Sequence, residues 1–106
     1  MNKLIATPVD RITIIKFYAE MESYLHIIKM LIKIDDIPYL QGMFPNIQKF
    51  VADARGIKTD YLSHLLNELI DNVEDKEFCY KLIGYIDKQL HLIKRSASHD
   101  KKSRSV

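Results

Sequence analysis

The apolar residues Ile14, Tyr18, Met21, Leu25, Ile28 and Ile32 recur at alternating steps of four and three along the first third of the chain. A β-strand would scatter that spacing over both faces, whereas an α-helix gathers it into one stripe. The segment therefore reads as a long amphipathic helix that other elements must cover. Ile15, Phe17, Tyr24, Ile27 and Leu31 widen the stripe, and Met30 and Ile34 carry apolar surface further round the cylinder. A chain of 106 residues builds a single hydrophobic core. A four-helix monomer of that size would not readily cover so much apolar surface, so self-association as a homodimer through the helix at 9–34 is expected.

The rest of the chain punctuates itself. Thr7, Pro8 and Asp10 stand as cap, first-turn proline and acidic third position at the start of the first helix. Asp35 and Asp36 end it and lead into a connector, Ile37 to Met43, with Gly42 and Pro45 as breaks. Asn46 can cap a compact helix with Ile47, Phe50, Val51 and Ala54 at helical spacing, ending at Gly56. Thr59 caps the next, whose Leu62, Leu65, Leu66, Leu69, Ile70 and Val73 form one apolar face. After a turn at Asn72 to Asp75, the residues Phe78, Leu82, Ile86, Leu90 and Ile93 predict a last helix ending at Lys94 and Arg95. Residues 96–106, with Lys101, Lys102 and Arg104, read as a mobile basic tail. The expected fold is all-α: a small bundle of four main helices in one domain, residues 1–95, followed by the tail at 96–106.

Several functional classes find no footing here. Cys79 is the lone cysteine and cannot form an internal disulfide, and neither a secretory signal nor a membrane-spanning run is present, so a cytoplasmic address is the expectation. His26, His64, His91 and His99 never fall four apart from one another or beside the cysteine, so neither a metal site nor a cofactor is expected. Ser63 beside His64 lacks a glycine-flanked elbow, and adjacent helical residues point about 100° apart. The acids Glu68, Asp71 and Asp75 make an ordinary solvated row. Catalysis is not expected.

One stretch carries a functional signal. A helix-turn-helix needs a small residue where its helices approach, a left-handed turn residue four positions later, an apolar plug after it, and two buried residues on the second helix. Ala52, Gly56, Ile57, Leu62 and Leu65 fill those places. The run Val51-Ala52-x-x-x-Gly56-Ile57-x-x-x-Tyr61-Leu62-Ser63-x-Leu65 resembles the helix-turn-helix regulator superfamily of bacteria and phages, with Arg55 where the pattern is usually apolar.

That resemblance, over about a fifth of the chain, implies a dimeric regulator of transcription that binds double-stranded DNA with a unit at 46–72. Arg55, Lys58, Thr59, Asp60, Ser63, His64 and Asn67 would then face the DNA. Asn67 could pair with adenine, Ser63 and His64 could meet base edges or phosphate, and Lys58 with Arg55 could hold the backbone. Charge argues the other way: residues 57–75 hold one lysine against five acids, and compensation must come from the eight Lys and Arg at 76–104. The alternative is a helical protein-binding module, such as an adaptor, antitoxin, immunity protein or secretion chaperone, that holds its partner on the first helix. A helix at 59–72 that crosses steeply with Ser63, His64 and Asn67 outward would favour DNA, and antiparallel packing would favour the bundle.

Overall fold

The computed structural model describes residues 10–104, with side chains through Ser96. Four helices follow one another: α1 (Arg11–Lys33), α2 (Ile37–Ala52), α3 (Asp60–Asp71) and α4 (Lys76–Arg104). The all-α expectation holds, with no strand among the described residues. The start signal at Thr7 and Pro8 lies outside those residues.

Each helix buries the face its spacing dictates. On α1 the buried residues are Ile14, Phe17, Met21, Leu25, Ile28, Leu31 and Ile32, with Tyr18 and Tyr24 at the rim and Ile15 and Ile27 in solvent. Leu40, Phe44, Ile47 and Val51 line the inner face of α2, and Leu62, Leu65, Leu66 and Leu69 that of α3. From α4 come Cys79, Leu82, Ile83, Ile86, Leu90 and Ile93, closing a core that holds no buried polar residue among those described.

The partners met along the helices give their directions. Tyr18 of α1 meets His91 of α4, and Asp35 just past the end of α1 meets Lys76 at the start of α4, so these two run antiparallel. Phe50 near the end of α2 stacks on Phe17 (centroids 5.3 Å apart) and meets Tyr24 edge-on, so α2 returns along α1. Gln48 of α2 pairs with Asn67 of α3, which joins these two helices. Each helix thus packs against two neighbours around a ring, with α1 and α4 forming the most extensive pair.

The links are built from local backbone chemistry. Asp35 takes a left-handed conformation (φ 65°) past the end of α1; its N–H donates to the Ile32 carbonyl and that of Asp36 to the Leu31 carbonyl, satisfying two free carbonyls of the last turn. Asp36 then accepts from the Tyr39 N–H at 3.3 Å, capping α2.

Two boundaries differ from expectation. The connector at 37–43 and the helix expected from Asn46 are one continuous helix, with Pro45 in its interior. Proline removes a hydrogen bond to the carbonyl four residues earlier, here that of Gln41. Pro45 and Gln41 are both exposed, so water can take over that carbonyl, and the unbroken apolar row Leu40, Phe44, Ile47, Val51 holds the helix together. At the other end α4 does not stop at Arg95 but continues to Arg104 through the expected tail. No proline or glycine stands between Gly84 and Arg104, so the backbone has no reason to leave the helix.

Candidate functional site

The link between α2 and α3 has part of the geometry the sequence suggests. Gly56 has φ 81°, Ile57 is buried behind it, and Leu62 and Leu65 are buried on α3. Arg55, Lys58, Asp60 and His64 are exposed, and Thr59 and Ser63 half-buried. Thr59 takes the cap position of α3 but makes no side-chain cap bond. Two residues depart from the assigned roles. Ala52 faces solvent rather than the approach between helices. Asn67, though exposed, turns its amide oxygen to α2, where Gln48 Nε2 donates to it at 3.0 Å.

A second feature is the outer face of α1. Positions 12, 15, 19, 23, 27, 30 and 34 share one side of that helix, opposite its core residues. Ile12 is 67% exposed, Met30 51% and Ile34 66%, with Ile15 and Ile27 also in solvent. Between the two apolar ends lie the small Ala19 and Ser23, with the exposed Lys16 and His26 beside them on the same side. The surplus apolar surface expected on the first helix is therefore present, along a stripe about 33 Å long.

A third is polar and lies on the seam between α1 and α4. Glu22 on α1 faces Asp87 and His91, which stand four apart on α4; one donor atom from each falls within 4.8 Å of the others. The His91 Nδ1 lies 2.9 Å from the Asp87 main-chain carbonyl and 3.8 Å from its carboxylate, and Nε2 lies 3.3 Å from the Tyr18 hydroxyl. Lys94 sits over the Tyr18 ring, 4.6 Å from its centre, and not against either acid. Hydrogen bonding with Asp87, then burial and that neighbour's charge, raise the Glu22 carboxyl above its ordinary range, with His91 pulling against them. Burial and the same two acids keep the Tyr18 phenol protonated beyond its usual range. Reading histidines only against other histidines and the cysteine missed this grouping; the Asp87-x-x-x-His91 spacing on one helical face was the available signal.

Cys79 is wholly buried, and its thiol donates to the Asn72 carbonyl at the end of α3 (3.1 Å). Burial, with Asp75 nearby, pushes the thiol up, which fits a packing role. Among the described residues no helix is long and apolar enough to cross a membrane. Comparison with protein families, curated proteins and solved structures returns no significant match.

Proposed function

We propose that this chain is a helical protein-interaction module that pairs with a second copy of itself through the outer face of α1. The observation that carries the reading is the exposed stripe Ile12, Ile15, Ile27, Met30 and Ile34 on one side of a single helix. Covering each of these side chains contributes on the order of 1 kcal/mol.

The occupant follows from charge and size. An antiparallel two-fold pairing centred on Ser23 sets Ile12 opposite Ile34 of the second copy, Ala19 opposite Ile27, and Met30 along the stem of Lys16. The same register brings Glu20 to His26. Parallel pairing would set Lys16 on Lys16, Glu20 on Glu20 and Lys33 on Lys33. The small side chains of Ala19 and Ser23 at the centre let the two backbones approach. An isologous pair of this kind closes on itself and leaves no open end.

Sedimentation velocity on the full chain tests this. The wild type is expected to be a dimer at tens of micromolar, on the order of a micromolar dissociation constant. Met30→Lys, which sets lysine against Lys16, should leave a monomer, while Met30→Glu retains the dimer. A wild type that stays monomeric, or equal behaviour of the two variants, contradicts the pairing.

A second reading has its own observation, the left-handed Gly56 followed by buried Ile57, which a helix-turn-helix turn requires. On that reading the chain is a small DNA-binding transcriptional regulator that sets Arg55, Lys58 and His64 against the duplex. Solvent-facing Ala52 and the Gln48–Asn67 bond favour the interaction module instead. Fluorescence anisotropy with mixed duplex DNA across a salt series separates the two. A salt-dependent affinity lost in Lys58→Ala with Asn67→Ala supports DNA binding, and no binding at low salt removes it.

A further inference from the structure

We infer that Glu22, Asp87 and His91 form a binding site for a divalent transition-metal ion, with Zn²⁺ as the fitting probe, on the seam between α1 and α4. The inference does not depend on how the chain pairs. Its basis is first geometric: two helices bring two carboxylates and one imidazole together, with one donor atom from each within 4.8 Å of the others. Donor atoms around a tetrahedral zinc are about 3.4 Å apart, given metal–ligand bonds of about 2.0–2.2 Å. Side-chain rotation alone can close that difference.

An independent observation concerns Glu22. Its Oε2 is shut off from solvent at the seam. Only the groups of the cluster, or an ion held among them, can reach an oxygen so placed.

Charge points the same way. Neither Glu22 nor Asp87 is among the acids paired with lysine or arginine in the described residues, and His91 is the one basic group against them. An ion of charge +2 displaces the proton that the two carboxyls share and balances both charges.

The histidine is held for the task. A carbonyl oxygen only accepts, so Nδ1, 2.9 Å from the Asp87 carbonyl, carries the ring proton and donates it. That leaves the Nε2 lone pair free to accept from the Tyr18 hydroxyl in the metal-free protein and to bind the ion when it is present. Three protein ligands of the N, O, O type suit a borderline first-row ion better than Ca²⁺ or Mg²⁺, which take six or more oxygens, many from water. A fourth position is left for water or a partner's side chain.

Calorimetric titration of the metal-stripped full chain with ZnCl₂ tests the site. One ion per chain is expected, together with a higher thermal midpoint. Glu22→Gln and His91→Gln should each weaken binding tenfold or more, while His26→Ala and His64→Ala leave it unchanged. Circular dichroism checks that every variant remains helical, and Co²⁺ in place of zinc should show visible absorption that His91→Gln abolishes. The assignment is overturned by an absence of binding at about 100 µM zinc, by binding undiminished in either ligand variant, or by binding that the control histidines carry.

Discussion

Glu22 and Asp87 lie on different helices and come together only because the α1–α4 seam is antiparallel. In the metal-free protein the raised Glu22 carboxyl means that the folded state holds its proton more tightly than the unfolded chain does. The stabilisation is therefore fully present below the unfolded value near 4.5 and is lost as pH rises through the higher folded one. Glu22→Gln removes the ionisation. With chelator present, this variant should melt several degrees above the wild type at pH 7, on the scale of about 1 kcal/mol, and the gap should close as pH falls below the unfolded value. A gap that is independent of pH would contradict the paired-acid account. At the same scale, buried Leu62, Leu65 and Ile57 were readable in advance from spacing. Asn67 was not, because its amide can serve a DNA base or a neighbouring glutamine equally well, and Gln48 is 19 positions away.

Helices differ in how they treat their glycines, and the contrast is measurable. Gly84 lies exposed inside α4 with open space where a Cβ would go, and Gly42 is similarly placed in α2. Gly84→Ala should stabilise the protein by about 1 kcal/mol, the ordinary helix-propensity gain. Gly56, at φ 81°, has no such freedom, and Gly56→Ala should cost about 1–2 kcal/mol. Chemical denaturation of both variants reads the two signs directly. The extents of α2 and α4 were misjudged because breakers were weighed alone. Pro45 sits where water can serve the freed Gln41 carbonyl, and the segment after Arg95 has neither proline nor glycine through Arg104. Apolar continuity through Leu40, Phe44, Ile47 and Val51 outweighs a local break.

For the molecule as a whole, a ring of four helices satisfies the inner faces completely and leaves the outer face of α1 uncovered. Dimerisation through that face, as proposed, would link stability to concentration, since a state that binds only when folded is stabilised by mass action. Calorimetry of the wild type should show a thermal midpoint that rises with protein concentration, while that of Met30→Lys stays constant. A wild-type midpoint that does not move over a hundredfold range would count against self-association.

Spacing by itself determined that the chain is all-helical, where the apolar stripes of α1, α3 and α4 lie, that Gly56 must turn left-handed, and that α1 carries more apolar surface than a small bundle covers. These are local or periodic properties, set by steric limits on the backbone and by 3.6 residues per turn. Tertiary structure alone decided that Gln48 of α2 meets Asn67 of α3, that Ala52 faces water, and that Glu22 meets Asp87 and His91. Those outcomes depend on which helix faces which across the ring. The pairing is settled by the joint burial of four stripes, and no single stripe contains it.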